Sequence, residues 1–359
     1  MIPEDVFVFD AVAHSYHLGP SNYRVTPEAE VVSEMLYGSF MEPAPEELTL
    51  SPEQYLRDWP VEETANMLFA ESQTDIATIH PTPIKLYEDG QTALAKAEEA
   101  IERWPQRFFT MATVDPMDGE KALTEFERQA EALDPVGLKL YPSSWRSDGT
   151  YESWQMSDPD VAYPFFEKAR DLGIDLVAIH KALPLGPIPA TDCHTEDVEA
   201  AAASFPELNF SVVHAGLAYV EETAWQLARF ENIYANLEVT AFLSHASPEY
   251  WERAISGLFS IAGEHAVDQT LWATGCSAYP AQPQIEAFWE FEFDEGQPGG
   301  LFEGPRMTRE VKEKILGLNY AEMLGLDPDG LKANAEGDEF DQRRGDSLAE
   351  PYATASVSP

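Results

Sequence analysis

A single-domain (β/α)8 barrel, the TIM-barrel class of α/β fold, is what this sequence of 359 residues predicts, and three observations predict it. Short runs rich in β-branched and aromatic residues alternate with longer stretches of helical periodicity, the pattern of βα units around a parallel sheet. Eight such runs can be counted, and eight units close into a barrel more economically than they extend an open sheet. Histidine follows the ends of four of the runs, where a parallel barrel carries its reactive groups.

In chain order the runs are Val6–Phe9, Ile76–Ile79, Phe108–Met111, Val136–Leu140, Leu176–Ile179, Phe210–Val213, Ile233–Leu237 and Thr270–Ala273. Amphipathic stretches such as Gln91–Trp104, Glu120–Leu133, Val161–Leu172 and Thr195–Ser204 provide helices between them. Residues 18–60, rich in Pro, Glu and aromatics, interrupt the repeat after the first strand. A long insertion at a barrel mouth reads either as a lid or as a surface elaboration. The barrel then spans 1–332 with helices after the last strand, and the acidic tail 333–359, poor in apolar residues, reads as disordered or wrapping.

Charge excludes some functions. Sixty-four acidic residues against 22 basic ones give a formal charge of −42, which repels phosphate backbones and anionic membranes. No nucleic-acid or membrane partner is expected. No lysine occurs before Lys85, a balance found in proteins of salt-accumulating halophiles and also in ordinary acidic enzymes. No basic n-region opens the chain and no run is long enough to span a bilayer, so a cytoplasmic protein is expected. Two cysteines, Cys193 and Cys276, make no disulfide framework. Phosphate-binding glycine loops and the Gly-x-Ser-x-Gly elbow are missing from the sequence.

The four histidines are His14, His80, His180 and His214. A lone histidine beside an apolar run is ordinarily a satisfied core residue, but four in register outweigh that reading. Imidazole is the commonest zinc ligand, and three imidazoles leave a position open for water or a substrate oxygen. His14, His180 and His214 are therefore the expected ligands of one divalent ion, zinc first, with manganese or iron as alternatives. Glu238, ending the seventh run, is either a further ligand and general base or a simple ion-pair partner. Lys139 in the fourth run either holds a substrate carboxylate or oxyanion or pairs with one of the many acids. His80, Tyr141, Lys181 and Cys276 are expected to line the substrate pocket, although a cysteine after a strand is more often an inert small hydrophobe.

Several stretches together resemble one family: Phe-Asp-Ala-Val-Ala-His (9–14), Gly-Leu-Lys-Leu-Tyr-Pro (137–142), Ile-His (179–180), Phe-Pro-Glu-Leu-Asn-Phe-Ser-Val-Val-His-Ala-Gly (205–216) and Lys-Ile-Leu-Gly-Leu-Asn-Tyr-Ala-Glu-Met-Leu-Gly-Leu (314–326). In order and spacing they resemble the amidohydrolase superfamily, in the amidohydrolase-related (amidohydrolase 2) branch that includes aminocarboxymuconate-semialdehyde decarboxylase. The resemblance implies metal ligands at His14, His180 and His214, and a homodimer. Two groups that the family usually carries are absent: the first strand's other ligand falls on Val12, and the eighth strand's aspartate on Gly275. Glu238 is the nearest candidate to replace the aspartate. The expected function is metal-dependent hydrolysis of a small carbonyl or carboxylate-bearing compound through a metal-activated water. A decarboxylase or hydratase (lyase) is the alternative implied by the resemblance, and a non-catalytic small-molecule-binding barrel that has lost part of its metal site is a further one.

Overall fold

Val6 and Phe7 are buried, yet the first strand, β1 (Phe9–Ala13), begins three residues later than its apolar run, where Phe9 and Asp10 pair with Ile76 and Ala77. That shift seats His14 directly beyond the strand. The computed structural model describes residues 1–186, 188–294, 298–344 and 347–355, with only the backbone of Ser144. The other expected runs all become strands: β2 (Ile76–Ile79), β3 (Phe108–Thr113), β4 (Gly137–Leu140), β5 (Leu176–His180), β6 (Asn209–Val213), β7 (Ile233–Asn236) and a short β8 (Thr270–Leu271). They pair in parallel, in sequence order. The ring closes through two backbone bonds, Ala11 N–H to Trp272 O at 2.9 Å and Gly275 N–H to Val12 O at 3.0 Å.

Phe9, Ile76, Met111, Leu176, Val213 and Leu271 come from six different strands and share one buried cluster. Side chains from opposite walls of a barrel meet only inside it, so this layer is the barrel's packed interior. Tyr320, from the helical segment after β8, joins the layer and bonds Thr78 through its hydroxyl at 3.1 Å. Gly137 leaves room there, since a β-carbon would stand 2.9 Å from the main-chain oxygen of Leu176. The expected helices form with trimmed ends, at Leu94–Arg103, Glu120–Leu133, Tyr163–Asp171 and Glu196–Ser204. None of the described helices is long and apolar enough to cross a membrane.

Residues 18–60 carry one substantial helix, α1 (Glu28–Met41). Its Ala29 and Val32 pack with Leu86 and Tyr87 from the loop after β2 and with Trp145. Trp145 belongs to a hairpin, Ser143–Trp145 with Tyr151–Ser153, that follows β4 and that apolar patterning did not reveal. Its strands are three residues long and mostly polar. The tail is helical at Pro328–Ala335 and Glu339–Arg344, and Phe340 and Tyr352 are fully buried. Residues 356–359 lie outside the described part.

Candidate active site

At the C-terminal ends of β1, β5, β6 and β7 the structure brings His14, His180, His214 and Glu238 together. His14 Nδ1–H donates to His80 O at 3.0 Å, since a carbonyl only accepts, and its Nε2 faces Glu238 Oε1 at 3.2 Å, a carboxylate oxygen that also only accepts. His214 repeats the arrangement: Nδ1–H donates to Glu238 O at 3.2 Å, which leaves Nε2 as an acceptor. His180 is the mirror case, with Nε2–H donating to Leu183 O at 3.2 Å and Nδ1 left bare. The two bare nitrogens, His214 Nε2 and His180 Nδ1, stand 2.9 Å apart. Two lone pairs at that separation repel unless a cation lies between them.

A proton is disfavoured in that place. Burial holds His180 well below the usual imidazole range, with His214 and Lys139 adding to it, and burial pushes His214 down to about 4. The donor chemistry fits a divalent ion instead. Each ring commits its other nitrogen to a backbone carbonyl, as metal-bound histidines do. Separations of 2.9 and 3.2 Å also suit two donors on one ion, which are on the order of 3 Å apart when each bond is near 2.1 Å. Among the described residues, however, no group of three or more His, Cys, Asp or Glu side chains is arranged to hold a metal, and the donors stand as two facing pairs.

Glu238 is buried, which on its own would raise its carboxyl, but His214, His14 and Lys139 outweigh that and hold it ionised far below the ordinary carboxylate range. Lys139 is fully buried, and among the described residues its Nζ has no hydrogen bond or ion pair. It sits 5.2 Å above the ring of Tyr141. Burial pushes its ammonium down to about 8, with Glu238 pulling the other way. Tyr141 stacks on His180 with ring centres 5.5 Å apart. His80 donates from Nε2 to Ala11 O at 2.9 Å, and its buried Nδ1 has no partner among the described residues.

The backbone under these groups is strained. His214 and Val239, the latter just after Glu238, have φ of 70° and 63°. A β-branched residue in the left-handed region is an outlier that persists where the surrounding structure enforces it, a feature that clusters at functional sites.

Two expected pocket residues go elsewhere. Lys181 does not reach a pocket; its Nζ is occupied by Asp197 at 3.0 Å and Asp192 O at 2.8 Å in a buried ion pair, because adjacent residues of an extended chain point to opposite sides. Cys276 is fully buried in the main hydrophobic cluster, where burial and the neighbouring Asp10 and Glu71 push its thiol well above the usual range. Its contribution is its backbone carbonyl, which accepts from His14 N–H.

Two residues escaped the sequence reading. Tyr16 stacks on His14 with centres 4.8 Å apart. Asp10, fully buried in β1, accepts from Val12 N and Thr274 N at 3.1 Å each and from the Thr274 hydroxyl, tying β1 to the turn after β8. Burial raises its carboxyl to about 7, against those hydrogen bonds. An acid inside an apolar strand, four residues before a histidine, was the available signal.

Comparison with known proteins agrees with this architecture. No curated protein matches the chain. Among solved structures, an uncharacterised TIM-barrel protein from Bordetella bronchiseptica superposes with a TM-score of 0.62 at 17% identity, over 92% of this chain and 99% of the other. A 5-carboxyvanillate decarboxylase from Novosphingobium aromaticivorans, with bound manganese and a nitrobenzoic acid ligand, gives 0.54 at 14% identity, over 90% and 98%. A 4-oxalomesaconate hydratase from Rhodopseudomonas palustris gives 0.54 at 16%, over 92% and 99%. The amidohydrolase family model (Amidohydro_2) matches residues 46–326, most of the length and all strands but the first, and the chain belongs to that family of enzymes.

Proposed function

We propose that the protein is a metal-dependent lyase, a decarboxylase or hydratase acting on a small carboxylate-bearing substrate. The carrying observation is Lys139, a fully buried amine with no direct hydrogen bond or ion pair among the described residues and only the longer-range pull of Glu238. A buried charge without a partner is costly, so an anion brought by the substrate completes the site. His14, His180, His214 and Glu238 would hold one divalent ion, zinc, manganese or iron. Such an ion, when bound, polarises a substrate oxygen as a Lewis acid.

The chain's own groups supply the rest. With its ammonium at about 8, Lys139 is protonated at neutral pH. It orients the substrate's carboxylate or oxyanion. In a decarboxylation the carbon–carbon bond breaks, carbon dioxide leaves, the electron pair stays on the remaining carbon, and a proton from Lys139 fills the place. In a hydration the ionised Glu238 takes the proton from the attacking water. Tyr16 and Tyr141, stacked on His14 and His180, present ring faces to a planar substrate, and neutral His80 offers Nδ1 to a hydroxyl. The decarboxylase and hydratase that share the fold support this direction. Hydrolysis ranks second; the Glu238 carboxylate, beside His14 and His214, favours it as a group placed to take a proton from water. The cytoplasmic homodimer expected from the sequence belongs to the same proposal.

The test measures carbon dioxide release from 5-carboxyvanillate and 2,6-dihydroxybenzoate, water addition to 4-oxalomesaconate, and hydrolysis of simple lactones and amides. Turnover of a carboxylate substrate that disappears in Lys139→Met is expected. Turnover confined to lactones or amides, or unchanged in Lys139→Met, overturns the lyase reading.

A further inference from the structure

Lys139, Glu238, His14 and His214 are all at least 97% buried, whereas Tyr141 and His180 beside them are partly exposed, so a substrate passes these two rings to reach the buried groups only if part of the protein moves. The structure points to one flank of the mouth. A cavity of about 430 Å³ lies beside the ends of β2 and β3, where Pro81, Thr113 and Val114 form its wall. Thr113 hydroxyl donates to the main-chain Lys139 O at 3.0 Å, so this wall is bonded to the strand that carries Lys139. A second, nearly closed slot of about 10 Å³ shares Pro83, Lys85, Val114 and Asp115 with the cavity and ends on Tyr141, the ring beneath Lys139 and against His180. Cavity and slot thus share a wall.

We propose that the substrate enters through this side cavity and slot, and that the ion cluster of Lys85, Asp115, Asp118 and Arg146 latches the passage. Lys85 Nζ bonds Asp115 at 2.7 Å and Asp118 at 2.6 Å. Arg146, on the hairpin, reaches Asp118 at 2.9 Å and Asp115 at 3.8 Å. The cluster therefore ties the hairpin, whose Trp145 lines the slot, to the loops after β2 and β3. An isolated hairpin of three-residue strands has little stability of its own. Its further tethers are the apolar contact of Trp145 with α1 and the loop after β2, and a hydrogen bond from Tyr151 to Asp192. Ion pairs on partly exposed side chains each contribute little, so this latch opens at little expense. The loop after β5 is anchored more deeply, through the buried Lys181–Asp197 pair.

This inference rests on the reading of Lys139 and its neighbours as the active site, but its test needs neither metal nor turnover. Wild type and variants are exposed to trinitrobenzenesulfonate, an aromatic anion of substrate-like size, and arylation of Lys139 is followed by peptide mass spectrometry. Circular dichroism melts confirm folding. Labelling about tenfold faster in Lys85→Ala/Arg146→Ala, and faster also in Trp145→Ala, with no change in Leu185→Ala in the loop after β5, is the expected result; tenfold corresponds to roughly 1.4 kcal/mol. Acceleration in Leu185→Ala alone, equal acceleration in all variants, or none in any overturns the route. A chain without metal or turnover whose labelling still follows the latch would sink the proposed chemistry and leave the route standing.

Discussion

Glu238 and Gly275 lie against each other across the ends of β7 and β8: a β-carbon on Gly275 would stand 3.3 Å from both Cγ and Oε1 of Glu238. The glycine leaves the space that the glutamate fills. Gly275 also has φ of 68°, a conformation costing a side chain on the order of 1 kcal/mol or more.

Gly275→Ala therefore pushes on Glu238 and strains the turn together. Turnover is expected to drop, by about tenfold or less, since the contact asks Glu238 to give by a few tenths of an ångström and a full misplacement of about 1 Å costs on the order of a hundredfold. The melting temperature should fall by a few degrees with the fold kept. Unchanged kcat in this variant would show that the position of Glu238 does not matter.

Lys139 gives a pH signature. Its folded-state value of about 8 lies below its ordinary 10.5, so between those values the unfolded chain binds more protons than the folded one. Stability from this group therefore rises with pH through that window, and its penalty is greatest below pH 8. Lys139→Met should melt higher than wild type at pH 7, with the gap narrowing toward pH 10, while turnover is lost. A lower melting temperature at pH 7 would mean that the amine already has a stabilising partner.

Most of the fold was legible because period-2 apolar runs and helical periodicity report directly on burial, and seven of the eight runs became strands at nearly the expected places. The first shifted because Val6 and Phe7 are buried outside the ladder, and burial is all that patterning detects. The approach of His180 to His214 needs three dimensions, since 34 residues separate them. Lys181 misled because its place beside His180 suggested the pocket, whereas its partner Asp197 sits on the following helix. Asp10 was passed over because its partner Thr274, adjacent to it where the ring closes, lies 264 residues away along the chain.

Asp10 supplies a second titration. Its folded value of about 7 lies above the ordinary 3.8, so its contribution to stability declines as pH rises from about 4 to 7. Asparagine preserves the geometry, because one oxygen accepts from both backbone amides and the other side faces a hydroxyl. Asp10→Asn should fold, melt at or above wild type at pH 8, and lose part of the decline between pH 4 and 7 in urea titrations. A variant that fails to fold at pH 8 would show that the negative charge itself is required.

Lys181 and Asp197 separate structure from chemistry. Removing one member of a buried pair leaves the other uncompensated, a loss of about 3–5 kcal/mol. Lys181→Ala should lower stability by that order in denaturant melts while metal uptake survives in the folded fraction. Loss of metal with unchanged stability would put Lys181 back in the site.

The proposed function requires that His14, His180 and His214, with Glu238, draw together around one ion. Elemental analysis by inductively coupled plasma mass spectrometry, on purified wild type, His180→Ala and Glu238→Ala, tests it most directly. About one zinc, manganese or iron per wild-type chain, as a single catalytic site takes, and little in either variant is predicted; a wild type that folds and turns over substrate without metal, or variants that keep a full complement, would contradict it.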